Sequence, residues 1–102
     1  MRRRDGATVP PRAVELSLRA ERQLAQIEDH YLEEAGPLVA DEVVTTLLDA
    51  MERLGTLPVV YRAAARAGLR EYVMGRLPYV LLYRVQAKRI QIAAVIHQRQ
   101  DR

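Results

Sequence analysis

The sequence predicts an α+β protein: an N-terminal strand and a two-helix hairpin packed on an antiparallel sheet of about four strands. Three observations carry this. The hydrophobic period changes from two to about 3.6 near Ser17. A Gly36-Pro37 pair interrupts the helical pattern once, and after Gly55 and Pro58 it stops. From Leu69 onward, short runs rich in Tyr, Val and Ile alternate with turn-forming residues.

The elements follow in order. Residues 1–12 read as a flexible basic arm, because they are polar, carry Arg2, Arg3 and Arg4, and end in Pro10-Pro11. Residues 13–102 form a single domain, as 102 residues suit one modest core. In Ala13–Leu18, Val14, Leu16 and Leu18 alternate with Glu15 and Ser17, which predicts a half-buried strand. Ala20, Leu24, Ile27, Tyr31 and Ala35 then recur at helical spacing, and Ser17 can cap that helix. Gly36 suits the end of the first helix and Pro37 the start of the second, whose stripe is Ala40, Val43, Val44, Leu47, Leu48, Met51 and Leu54. So short a turn makes the helices an antiparallel hairpin. Residues 56–68 read as an irregular connection carrying Arg62 and Arg66. Strands are expected at 69–74, 79–85 and 89–97, joined by Gly75–Pro78 and Gln86-Ala87-Lys88 as a meander.

Charge is unevenly distributed. Residues 1–58 hold seven Arg against eleven Asp and Glu, a balance of −4, whereas residues 59–102 hold eight Arg and one Lys against two acids, a balance of +7. Such asymmetry suggests a basic surface that meets an acidic partner. The strands are apolar on both sides, which leaves two readings: an exposed apolar patch for a partner, or two covered faces. No run approaches the about 18 apolar residues of a membrane span. The start leads into no apolar h-region, so neither a secretory signal nor membrane contact is expected. The absence of cysteine fits a cytoplasmic location and removes thiolate metal sites and Cys nucleophiles.

Catalytic signatures are sparse. The five glycines are scattered and form no phosphate loop, so no cofactor is expected. His30 and His97 are the only histidines and lie far apart in sequence, so no metal site is expected. Ser17, the only serine, lacks the surroundings of a nucleophile elbow. What remains is the arginine set Arg62, Arg66, Arg70, Arg76, Arg84 and Arg89, suited to planar contacts with carboxylate or phosphate, and the end of the chain from His97 to Arg102. His97 at a strand end can move protons near neutral pH, although a lone histidine there is more often structural.

The segment Leu77-Pro78-Tyr79-Val80-Leu81-Leu82-Tyr83-Arg84-Val85, followed by Ile90–His97 and Gln98-Arg99-Gln100-Asp101, resembles the C-terminal half of ParE-type toxins of the RelE/ParE superfamily. Leu69–Val73 resembles the family's preceding strand and Ala20–Ile27 its first helix, so the likeness spans roughly residues 13–101. It implies the RelE/ParE fold and the toxin of a type II toxin–antitoxin pair, of the kind also called plasmid stabilisation proteins. A cognate antitoxin would neutralise it. The ParE branch is associated with poisoning DNA gyrase, the RelE branch with cutting messenger RNA on the ribosome.

The RelE branch resembles a site built from Lys, Arg and a C-terminal Tyr. Here Val80 stands where that branch often has Arg, no Tyr follows His97, and the single Lys88 lies in a turn. These departures favour a non-catalytic gyrase inhibitor contacting its target through Arg70, Tyr72, Arg84, His97 and Arg99, with direct nucleic-acid binding by the toxin alone not expected. The alternatives are an RNA endonuclease using His97, Arg99 and Arg70, and a basic interaction module without toxicity.

Overall fold

The computed structural model describes residues 12–56 and 68–99. The expected basic arm (apart from Arg12), most of the 56–68 connection with Arg62 and Arg66, and the last three residues lie outside them. The elements are β1 Ala13–Leu16, α1 Leu18–Ala35, α2 Pro37–Leu54, β2 Arg70–Val73, β3 Tyr79–Val85 and β4 Arg89–His97. They form one four-stranded sheet in the order β1-β4-β3-β2. No described helix is long and apolar enough to cross a membrane.

The meander is antiparallel as expected: β2 pairs with β3 and β3 with β4. The first strand differs. β1 lies parallel to β4, with Val14 opposite Ile90 and Leu16 opposite Ile92, so the sheet is mixed. Alternation in β1 reports which residues face the core, not the direction of the neighbouring strand. The helices and two strands between β1 and β4 give the chain ample length for a parallel return.

Strand β1 also ends earlier than its alternation suggests. Ser17 leaves the strand and becomes the N-cap of α1, its hydroxyl accepting from the Ala20 amide at 3.0 Å. Leu18, read from sequence as a strand position, therefore opens α1 and is 60% exposed. Between the helices Gly36 has φ 92° and ψ 172°, a conformation essentially restricted to glycine. Its amide donates to the Tyr31 carbonyl at 3.0 Å and its carbonyl accepts from Ala40 at 3.0 Å, so one residue closes one helix and opens the next. Gly55, after α2, is needed for a different reason. Arg12 donates its amide to the Gly55 carbonyl at 2.8 Å, and a Cβ on Gly55 would collide with the Arg12 carbonyl oxygen and crowd Val14.

The main core lies between the helices and one face of the sheet. Ala20, Ile27, Leu47, Ala50, Met51 and Leu54 pack there on Tyr79, Leu81, Tyr83, Ile90, Ile92 and Val95. On β4 this list breaks strict alternation: Ile90 and Ile92 face the helices, and so does Val95. The cause is a register shift. Leu82 pairs with Ala94 but Tyr83 pairs with Ile92, so Ala93 is an extra residue, a β-bulge. Strict alternation would place Gln91, Ala93, Val95 and His97 on one face and Ile90, Ile92, Ala94 and Ile96 on the other, and the bulge breaks that grouping. Beyond the bulge the faces exchange.

The bulge lies where β1 stops, and α1 takes over its hydrogen bonding. The Ser17 hydroxyl donates to the Ala93 carbonyl at 2.8 Å, and the Gln23 side-chain oxygen accepts from the Val95 amide at 2.7 Å. Buried backbone groups must find partners, and two side chains of one helix supply them. On the opposite face Val80, Leu82, Ala94 and Ile96 make a second buried cluster, none more than 8% exposed. Of the two sequence readings of the apolar strands, an open patch or two covered faces, these positions follow the second.

Candidate functional site

The five residues singled out from sequence are placed in three regions. Arg70 and Tyr72 stand on β2 opposite Tyr83 and Leu81, hence on the helix side of the sheet. Tyr72 packs against the main core and its hydroxyl accepts from Arg53 at 3.5 Å, a long contact. Arg84 is exposed on the other face, opposite Gln91. Among the described residues, the arginines of the C-terminal half are therefore spread over both faces of the sheet. Arg89 too is engaged locally, bonded to Glu15 at 2.9 Å with both side chains about half exposed.

His97 and Arg99 do come together. His97 ends β4 opposite Tyr79, and the Arg99 amide donates to His97 Nδ1 at 3.0 Å. In the neutral imidazole that bond leaves the proton on Nε2. The next amide, Gln98, donates to the Pro78 carbonyl at 2.8 Å, so the chain just beyond β4 is fastened to the β2–β3 turn. Arg70 is two strands away and four positions along β3 from this corner, roughly 16 Å between Cα positions from ordinary strand spacing.

Around His97 an aromatic chain forms that sequence spacing did not reveal. The His97 and Tyr79 rings meet edge-on at 5.5 Å, and His30 meets Tyr31 edge-on at 5.0 Å. His30 and His97, far apart in sequence, border one pocket of about 270 Å³ with Gln23, Gln26 and Tyr79. Among the described residues no group of three or more His, Cys, Asp or Glu converges as a metal site would require. Tyr79 is 6% exposed. Burial first, and then its hydrogen bond with Tyr31, raise its hydroxyl well above the ordinary phenol range.

This has a pH consequence. A phenol whose folded pKa exceeds its unfolded value of about 10 favours folding fully below pH about 10, and that contribution is lost as pH rises further. Tyr79→Phe should lower stability at pH 7 by roughly 1 kcal/mol through the lost hydrogen bond, and should flatten the decline above pH 10. Urea unfolding at pH 7, 10 and 11 measures both. Equal alkaline slopes for the two proteins would contradict the assignment.

A second pocket, of about 460 Å³, lies between α2 and β2 with the turn that follows it. Arg53, Tyr72 and Arg76 line it. Arg53 carried no sequence signal beyond a cation in the last turn of a helix, where it also suits the helix dipole.

The comparisons with known proteins agree with this architecture. The family model described as ParE toxin of type II toxin-antitoxin system, parDE, matches residues 14–102. A curated protein of Sinorhizobium fredii named "Putative toxin Y4kP" is 32% identical over 85 residues, covering 83% of this chain and 86% of its own. Among solved structures, the chromosomal ParDE TA system from P. aeruginosa matches with a TM-score of 0.78 at 25% identity, over 84% of this chain and 95% of that one. The RelBE2 toxin–antitoxin complex from Mycobacterium tuberculosis matches with a TM-score of 0.64 at 22% identity, over 85% and 91%, a likeness of fold. With strand, helical hairpin and three-stranded meander in the order described, and a match from β1 onward, the chain belongs to the ParE toxin family of type II toxin–antitoxin systems.

Proposed function

We propose that this toxin acts in the cytoplasm by binding DNA gyrase through protein–protein contact, and that a cognate antitoxin neutralises it. The observation that carries a binding role over a nuclease role is the position of Val80. It stands where the RNA-cutting branch of the superfamily often carries Arg, and it is fully buried in the second cluster. A phosphate-binding group at that position would have no access to a substrate. Lys88 is exposed in the β3–β4 turn, and Arg84 lies on the face opposite His97. Proton transfer in RNA cleavage needs acid and base within hydrogen-bond reach of one phosphate. A binding surface has no such requirement and needs a few Arg and aromatic anchors; Arg70 and Tyr72 on the helix side of the sheet, with His97 and Arg99 at the end of β4, are the proposed set, and Arg84, on the other face, would belong to a separate contact. The antitoxin proposal is supported by the P. aeruginosa and M. tuberculosis matches, which are toxin–antitoxin systems. Residues 13–102 act as one domain in this reading.

The second reading, an RNA endonuclease, is favoured by one observation: His97 and Arg99 are neighbours joined by a hydrogen bond. One experiment separates the two. Gyrase supercoiling is titrated with purified toxin beside messenger-RNA cleavage on translating ribosomes. The expected result is loss of supercoiling with intact RNA, and recovery of supercoiling on deleting the residues after Gln98. The cut is placed there because His97 is part of the sheet and Gln98 is bonded to Pro78. Site-specific RNA cuts that disappear in His97→Ala, with gyrase unaffected, would establish the nuclease instead. Undiminished supercoiling together with intact RNA, and normal growth on expression, would leave the non-toxic interaction module.

A further inference from the structure

The pocket between α2 and β2 joins Tyr72, already proposed as a target contact, to the charged residues Asp49, Arg53 and Arg76, which none of the roles above uses. Its floor includes Ala50 and Met74, 4% and 6% exposed. Its lining includes two arginines from different elements, Arg53 at the end of α2 and Arg76 in the β2–β3 turn. Tyr72 joins them from β2, and its hydroxyl accepts a long hydrogen bond of 3.5 Å from Arg53 Nη2. Asp49, one turn before Arg53 on α2, completes the charged lining.

Two arginines and a phenol hydroxyl around an apolar floor make a receptor for an anion, since guanidinium presents paired donors and a weakly solvated floor strengthens their field. Asp49 selects among anions. A dianionic phosphate ester would meet its carboxylate as a like charge. A singly charged carboxylate on a peptide offers less repulsion and brings a backbone N–H that Asp49 can accept. We infer that this pocket is a carboxylate-binding site that seats an acidic side chain of a partner polypeptide, its aliphatic stem lying over Ala50 and Met74. The net charge of +7 on residues 59–102 favours the approach of such a segment. The inference rests on reading the toxin as a partner-binding protein, but not on gyrase as the target.

The test uses the full chain and two synthetic peptides, acetyl-Ala-Glu-Leu-Glu-Ala-amide and its Gln counterpart, with inorganic phosphate as a third probe. Binding is followed by the NMR shifts of the arginine side-chain N–H groups. The Glu peptide should shift Arg53 and Arg76 saturably, and the Gln peptide should bind about tenfold more weakly, because charge-assisted hydrogen bonds are lost. Arg53→Ala and Arg76→Ala should each weaken the Glu peptide by about tenfold, and 0.5 M salt should weaken it further. Both side chains are exposed, so the variants should keep the melting temperature of the parent protein. Arg89→Ala, which removes an exposed arginine already bonded to Glu15, should leave peptide binding unchanged. Equal binding of the Glu and Gln peptides would overturn the inference, as would equal weakening by Arg89→Ala. Tighter binding of phosphate than of the Glu peptide would overturn it in favour of a phosphate site. None of these outcomes alters the gyrase titration, so the two readings fail separately.

Discussion

Val80→Arg should be among the most damaging single substitutions in this toxin, and it should not confer RNA cleavage. Val80 is 0% exposed and pairs with Val73 on one side and Ile96 on the other. An unpaired charge buried there costs about 3–5 kcal/mol, a large part of the roughly 5–15 kcal/mol that holds a domain folded. The acid on β2 that shares this face is Glu71, which pairs with Leu82 and is diagonal to Val80. Even a new ion pair with it would replace well-packed hydrophobic contact, and such exchanges commonly cost about 1–4 kcal/mol. Urea denaturation of the two proteins measures the loss as a lower midpoint. A variant as stable as the parent that cleaves messenger RNA would refute both the burial argument and the binding reading that rests on it.

Ser17→Ala should cost more than a helix cap alone. The hydroxyl accepts from the Ala20 amide and donates to the Ala93 carbonyl at the bulge. Losing an N-cap costs about 1 kcal/mol, and leaving a part-buried carbonyl without a donor costs about 1–3 kcal/mol, so the sum is about 2–4 kcal/mol. In a domain of this size that lowers the melting temperature by on the order of 10–20 °C. Ser17→Thr keeps both the donor and the acceptor and should retain most of the stability. A loss below about 0.5 kcal/mol in Ser17→Ala would mean that the bulge finds its partner elsewhere.

Much of the architecture was legible in the residues. The change of period at Ser17, the Gly36-Pro37 break and the strand-sized runs from residue 69 placed both helices and the meander close to their observed bounds. These are local signals, set by which side chains must leave water and which residues tolerate a turn. The motif around Tyr79–Val85 and His97 carried the family as well, and the match over residues 14–102 agrees. The candidate site was less legible. Arg70, Arg84 and His97 looked like members of one surface because they follow one another on consecutive strands, yet the sheet sends Arg84 to the opposite face. Arg53 and Arg76, which line a pocket together, lie 23 positions apart in unrelated contexts and gave no joint signal.

By itself, then, the sequence determined the elements, their order and the ParE family, because apolar spacing and turn residues act over a few positions of the chain. The tertiary structure alone decided the parallel seating of β1, the bulge at Ala93 and the exchange of faces beyond it. Each depends on which backbone groups are left without partners once distant strands pair. β1 ends at Leu16 beside Ile92, so β4 loses its neighbour there, and Ser17 and Gln23 of the adjoining segment satisfy Ala93 and Val95 instead. That requirement spans more than seventy residues, and no local period records it.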